Sequence, residues 1–113
     1  MNRPESDTPC LKTWLISRHG AAREWVELKG VPVDRILTHL EQKDYLSMVP
    51  GDCVIGNLPL AWIARLNAHG VRYINLDLTI PAHLRGQELD LAAFQACQPA
   101  LTEYRVEQIK RWS

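Results

Sequence analysis

The sequence predicts a single α/β domain in which a mainly parallel sheet carries helices on both faces. Apolar stretches of strand length alternate along the chain with stretches whose apolar residues recur at helical spacing, and glycine or proline separates most of them. Strands that alternate with helices pair in parallel, because each helix returns the chain to the same end of the sheet. At 113 residues the chain has the length of one domain.

The first half of the chain contains three predicted strands and two predicted helices. Ala21, Trp25 and Leu28 recur at helical spacing, and Gly30 is suited to end that helix. Asn57 is a good N-cap for the second helix. The predicted elements of this half are strands at 11–17, 33–40 and 53–55 and helices at 21–29 and 58–69.

The second half contains a strand, a polar loop, a helix and a closing element. Tyr73, Asn75 and Asp77 alternate with apolar residues, so one side of their strand is predicted to face water or a ligand. Asp90 is the expected N-cap of the helix. The predicted elements are a strand at 72–80, a loop at 81–88, a helix at 90–98 and a strand at 101–109, for which a helix is the alternative.

Composition and charge exclude several classes of protein. The 13 basic and 13 acidic side chains cancel, so the chain lacks the surplus of Lys and Arg on which binding to duplex nucleic acid depends. This balance is compatible with a small anionic ligand held by a few local cations. The longest apolar runs are far shorter than a membrane span, so no membrane association is expected.

The N-terminal residues and the cysteines predict a cytoplasmic protein. Residues 1–10 are polar and lack the apolar core of a signal peptide, and we interpret them as a flexible tail before a domain at 11–113. Cys10, Cys53 and Cys97 form no CxxC pair and are odd in number, which indicates neither a disulfide framework nor a zinc knuckle.

The main candidate site follows the first predicted strand. In open α/β sheets, ligands bind beyond the carboxyl ends of the strands, where helices begin. Ser17, Arg18, His19 and Gly20 stand at this point, so a hydroxyl, a guanidinium and an imidazole meet the positive end of a helix, and Gly20 allows the backbone to approach a ligand. Such a turn suits a phosphate group. The alternative is a helix-capping turn with solvated Arg18 and His19 side chains.

Two further residues complete the candidate set. Asn57 is a candidate contact for a ribose hydroxyl or a phosphate, with an ordinary N-cap as the alternative. Arg85, in the loop after the fourth strand, is a candidate to close over an anion, with a solvated arginine as the alternative. His39 is interpreted as a structural histidine at the end of the second strand, and His69 and His83 receive no role.

The motifs of common cofactor and metal sites are missing from the sequence. The chain contains no GxGxxG, GxxxxGK[ST], HExxH or GxSxG pattern. A P-loop is therefore excluded, and we expect neither a dinucleotide or other cofactor nor a metal.

Four ordered segments resemble a known family. They are WLISRH at 14–19, GDCVIGNLP at 51–59, GVRY at 70–73 and PAHLRGQEL at 81–89. With these segments the chain resembles a small CRISPR-associated accessory family of type III systems, family sixteen of the Csx group. The resemblance implies a Rossmann-like fold similar to the CARF domains of CRISPR cyclic-nucleotide sensors. It also implies a homodimer that binds a cyclic oligoadenylate second messenger across its two-fold axis.

The resemblance and the turn after the first strand together predict a ring nuclease that needs no metal. The expected ligand is cyclic tetra-adenylate, whose cleavage would switch off type III CRISPR signalling in antiviral defence. Arg18 is expected to stabilise the transition state, His19 to act as general base or acid, and Ser17 to orient the phosphate or the 2′-hydroxyl. One alternative is a non-catalytic protein that binds the messenger as a sensor or sponge. Another is an interaction protein that docks through the polar side of the fourth strand.

Overall fold

One sheet runs through residues 9–113, the part of the chain that the computed structural model describes. Its strands are β1 (Thr13–Ile16), β2 (Arg35–Leu37), β3 (Cys53–Gly56), β4 (Arg72–Asp77) and β5 (Ala100–Tyr104). Their order in space is β2-β1-β3-β4-β5, in which the first four are parallel and β5 is antiparallel to β4. The predicted tail lies outside the described residues except for Pro9 and Cys10.

Helices cover both faces of this sheet. They are α1 (Gly20–Leu28), α2 (Gln42–Ser47), α3 (Leu60–Ala68) and α4 (Leu91–Ala96), with a 3-10 turn at Ala82–Leu84. On one face Trp25 of α1 and Phe94 of α4 pack against Leu15 of β1. On the other face Leu66 of α3 packs with Trp14 of β1. Because β1 is buried on both sides, its sequence is apolar without alternation. The predicted α/β Rossmann-like class is confirmed.

The beginning of α3 differs from the prediction. Its first residue is Leu60 and its N-cap is Pro59, so Asn57 caps nothing. The reason is local, because a proline disfavours helical backbone in the residue before it, which here is Leu58. Residues 57–59 therefore lie outside any helix, and α3 starts at Leu60. The predictions for α1 and α4 are confirmed: Gly30 follows α1 with a positive φ of 84°, and the Asp90 carboxylate accepts from the Ala93 N–H.

Helix α2 was missed by the sequence prediction. It has only six residues, and none of them is fully buried, so it shows no apolar face. A capping box defines its start: the Glu41 N–H donates to the Asp44 carboxylate at 3.0 Å, and the Glu41 side chain accepts in return. The acid-x-x-acid spacing in the sequence was the available signal. Strand β2 is shorter than the predicted strand at 33–40. Its three residues pair with residues 14–16 of β1.

A disulfide joins Cys10 to Cys53, which corrects the prediction from cysteine spacing. The two segments that enter β1 and β3 run side by side. The Leu11 N–H donates to the Gly51 carbonyl at 3.1 Å, and the Cys53 N–H donates to the Lys12 carbonyl at 2.8 Å. Parallel pairing thus brings together two cysteines that are 43 residues apart in the chain. The free cysteine, Cys97, is buried.

Between β1 and β3 the chain connections change direction. Helix α1 leads from β1 to β2 on one side, whereas α3 leads from β3 to β4 on the other. Two neighbouring parallel strands whose helices depart in opposite directions leave a crevice at their carboxyl ends, where ligands bind in this class of fold. Within residues 9–113, no helix combines the length and the hydropathy that crossing a membrane demands.

Candidate functional site

A cavity of about 500 Å³ occupies this crevice. Three connections contribute its lining: the turn after β1, the segment after β2 and the loop after β3 that enters α3. The lining residues are Ile16, Ser17, Arg18, His19, Thr38, His39, Leu40, Asn57, Leu58, Pro59 and Trp62. We call this the switch-point cavity. Its volume lies within the range of about 300–1,000 Å³ that is usual for small-molecule sites.

Ser17, Arg18 and His19, the site residues predicted after the first strand, all line the switch-point cavity. The Ser17 hydroxyl oxygen accepts a hydrogen bond from the His19 backbone N–H at 3.1 Å, which shapes the turn. Arg18 is exposed and lines the cavity. His19 is half-buried, and its ring centroid lies 6.4 Å from that of Phe94 in α4. The imidazole is therefore supported by the core on the α1 face.

The two helices that begin at the cavity lack side-chain caps. Neither His19 at the N-cap of α1 nor Pro59 at the N-cap of α3 caps its helix with a side-chain hydrogen bond. By contrast, α2 has a capping box and Asp90 caps α4. Neither α1 nor α3 carries an acidic residue in its first turn. Their first N–H groups and the positive ends of their dipoles are thus available to an anion.

His39 and Trp62 were not identified as site residues from the sequence. The interpretation of His39 as a structural histidine was wrong, because it is exposed and lines the switch-point cavity. Strand β2 ends at Leu37, so the chain turns over the carboxyl end of β1 instead of continuing as a strand through His39. Trp62, in the first turn of α3, contributes the only tryptophan of the lining. Thr38 and Leu40 line the cavity as well.

The remaining candidates lie at different distances from the cavity. Asn57 is exposed and lines it. Gly20 is the first residue of α1, next to the lining but not part of it. Arg85 is exposed at the end of the 3-10 turn and does not line the cavity. Its neighbour Leu84 packs on the core of the α1 face, so this loop belongs to that side of the sheet. Closure of Arg85 over a ligand stays a prediction.

Tyr73 holds the loop that forms one wall of the cavity. Its side chain is fully buried, and its hydroxyl accepts from the Leu58 N–H at 3.2 Å. The hydroxyl proton faces two acceptors, the Gly56 carbonyl at 2.8 Å and Asn75 Oδ1 at 2.6 Å. From there a polar chain continues, because Asn75 and Thr102 both donate to Asp77. The polar side of β4 is thus largely occupied by its own hydrogen bonds.

Burial raises the pKa of the Tyr73 phenol above its ordinary value of 10.0, with a smaller contribution from the Asp77 carboxylate. A phenol whose pKa is higher in the folded than in the unfolded state stabilises the fold below pH 10, and this stabilisation is lost as the pH rises through the folded pKa. We expect the free energy of unfolding to fall more steeply above pH 10 in the wild type than in Tyr73→Phe. Urea unfolding at a series of alkaline pH values measures both slopes, and equal slopes would contradict the expectation.

Two glycines beside the cavity have opposite steric surroundings. A Cβ atom on Gly56 would lie 2.8 Å from the Ile16 carbonyl oxygen, whereas one on Gly20 would meet nothing within 4 Å. Gly56→Ala is therefore expected to lower the free energy of unfolding by about 1–3 kcal/mol. Gly20→Ala is the matched control, expected to keep or slightly raise stability. Urea denaturation of both variants measures this difference. A Gly56→Ala protein with the free energy of unfolding of the wild type would contradict the expectation.

A larger groove of about 690 Å³ lies beside the beginning of β4 and the end of β5. It is lined by the C-terminal end of α3 and by the end of β5, and it contains the ion pair between Arg72 and Glu103 at 2.9 Å. Although its lining includes three arginines, Arg65 and Arg72 already bind Gln42 and Glu103, and the negative end of the α3 dipole disfavours an anionic ligand there. Among residues 9–113, no three His, Cys, Asp or Glu side chains are grouped to hold a metal ion. The switch-point cavity is thus the better candidate for an anion.

Comparison with known proteins identifies a family. No curated protein and no solved structure matches the chain. One family model matches residues 14–107, which include β2 to β5, all of β1 except Thr13, and every residue that lines the switch-point cavity. Since this match covers most of the chain, the protein belongs to the family described as "Putative CRISPR-associated protein (Cas_VVA1548)".

Proposed function

We propose that this CRISPR-associated protein is a metal-independent ring nuclease that binds and cleaves a cyclic oligoadenylate second messenger of type III systems. One observation carries the proposal. Arg18, two histidines and two helix N-termini without side-chain caps meet at one cavity, and none of its lining residues is acidic. This arrangement suits a phosphodiester, which needs local positive charge and a proton-transfer group. Membership of a CRISPR-associated family supports the choice of messenger.

The proposed reaction uses the ribose 2′-hydroxyl as the nucleophile. Its oxygen attacks the neighbouring phosphorus and expels the 5′-oxygen, so the products carry a 2′,3′-cyclic phosphate and a 5′-hydroxyl. One imidazole removes the 2′-proton and another protonates the leaving oxygen, which gives a role to each of His19 and His39. Arg18 and the N–H groups at the start of α1 stabilise the charge on the phosphorane. Holding the attacking and leaving oxygens in line lowers the barrier further.

A homodimer would match the symmetry of the ligand. Two copies of the cavity around a two-fold axis would present two copies of Arg18 and His19 to a ring that has rotational symmetry itself. Cyclic tetra-adenylate carries one phosphate per nucleotide, and two such sites would face opposite phosphates of the ring. The proposal therefore includes two cleavage events per ring.

A binding protein without activity is the second candidate. Phosphate binding needs Arg18 and the helix N-termini but no general base. Arg18 at the cavity and the N-termini of α1 and α3 without side-chain caps favour this candidate, because they suffice to bind a phosphate. Such a protein would sequester the messenger as a sensor or sponge.

The deciding experiment incubates the purified protein with labelled cyclic tetra-adenylate in the presence of a chelator and resolves the products by chromatography. Linear products that end in a 2′,3′-cyclic phosphate are expected. Arg18→Ala should weaken binding about 10- to 100-fold and slow cleavage with it, because a charge-assisted hydrogen bond to phosphate is lost. Saturable binding of an intact ring would favour the binding protein, and the absence of any binding would overturn both candidates.

A further inference from the structure

The lining of the switch-point cavity is of two chemical kinds. The turn after β1 supplies the groups that suit a phosphate, namely Arg18 and the first N–H groups of α1. The loop into α3 and the first turn of α3 supply an apolar surface made by Leu58, Pro59 and Trp62. A phosphate makes no favourable contact with apolar side chains, so the reaction proposed above gives these three side chains no role.

Contacts with α2 hold the Trp62 ring in place. The Arg65 guanidinium lies 4.4 Å from the Trp62 ring centroid and 4.6 Å from that of Tyr45, so it packs against both aromatic rings. The same guanidinium donates to the Gln42 side-chain carbonyl at 2.8 Å, and the two ring centroids are 5.8 Å apart. A side chain that is already ordered loses little conformational entropy when a ligand packs on it.

We infer that Trp62 is the stacking surface for a purine base of the ligand. The base lies on the part of the indole that faces the cavity while its phosphate lies at Arg18 and the start of α1. Every nucleobase has a flat π face that stacks well on an aromatic side chain. This inference rests on the proposed function for the identity of the ligand and adds the group that recognises its base.

The test measures binding of a cyclic tetra-adenylate analogue without 2′-hydroxyls, which lacks the nucleophile and stays intact. Trp62→Leu keeps an apolar side chain in the helix but removes the flat ring, and should weaken binding about 5- to 150-fold by calorimetry. Trp62→Phe restores a ring and should bind within a few-fold of the wild type. Trp112→Leu is the matched control, because Trp112 is exposed and does not line the switch-point cavity. It should bind like the wild type.

Fluorescence gives an independent readout of stacking. Trp14 and Trp25 are buried in the core, so ligand-dependent quenching should come from Trp62 and disappear in Trp62→Phe but persist in Trp112→Leu. Circular dichroism of each variant checks that it is folded. Trp62→Leu protein that is folded and binds the analogue as tightly as the wild type would overturn the inference and leave the proposed function standing.

Failure of the proposed function would look different. If the wild type does not bind the cyclic analogue, the proposed ligand is wrong, and AMP and ribose 5-phosphate become the probes. Quenching of Trp62 by AMP but not by ribose 5-phosphate would still support a base-stacking site. Equal responses to the two probes, or none to either, would overturn the inference as well.

Discussion

Replacing His19 with alanine is expected to lower the single-turnover rate of ring cleavage about 100- to 10,000-fold while ligand affinity changes only a few-fold. This is the range lost with a general acid or base. His39→Ala is expected to fall within the same range, since His39 lines the same cavity.

His83→Ala is the matched control for these variants. His83 is exposed in the 3-10 turn and does not line the switch-point cavity, so its loss should leave the rate unchanged. A wild-type rate in His19→Ala would remove His19 from the mechanism. A wild-type rate in both cavity variants would show that neither His19 nor His39 takes part, and cleavage would then depend on Arg18, the helix N-termini and the in-line geometry alone.

Replacing Phe94 with alanine is expected to lower the free energy of unfolding by about 3–5 kcal/mol. Its side chain is fully buried, and its ring centroid lies 6.0 Å from that of Trp25 in α1 and 6.4 Å from that of His19. The loss combines the transfer free energy of the ring with the cavity that it leaves. A protein of this size has about 5–15 kcal/mol of stability in total, so the change is large. Urea unfolding monitored by circular dichroism measures it.

Phe94→Leu is the control for the Phe94→Ala variant. Leucine keeps apolar volume at this position and should lose less stability than alanine, although it no longer offers an aromatic ring to His19. If support by Phe94 positions the His19 imidazole, Phe94→Leu should slow cleavage under conditions in which the protein is fully folded. A loss of less than about 1 kcal/mol in Phe94→Ala would mean that α4 is not packed on α1 as described.

Local patterns in the sequence determined much of the fold. The spacing of Ala21 and Trp25 predicted α1, because a buried helix face needs apolar residues at that interval. The apolar runs of β1 and β3 predicted central parallel strands, which are buried on both sides. Since the rule on ligands at strand ends depends only on this alternation, the sequence alone predicts Ser17, Arg18 and His19 as site residues.

Where local signals competed, the sequence prediction was wrong. Asn57 has the chemistry of an N-cap, but Pro59 keeps Leu58 out of the helical region, and α3 begins later. Helix α2 is too short and too exposed to show an apolar face, so its only signal was the pair Glu41 and Asp44. These errors moved the boundaries of elements and left the class of fold unchanged.

By itself the sequence determined the α/β class, the main strands and helices, and the turn with Arg18 and His19, because each depends on residues close together in the chain. Only the tertiary structure decided which distant residues join that turn. His39 and Trp62 reach the switch-point cavity through the packing of separate connections around β1 and β3, and Cys10 meets Cys53 because two segments run side by side. Such contacts depend on strand order and register, which arise from packing across the whole sheet and leave no mark in local spacing.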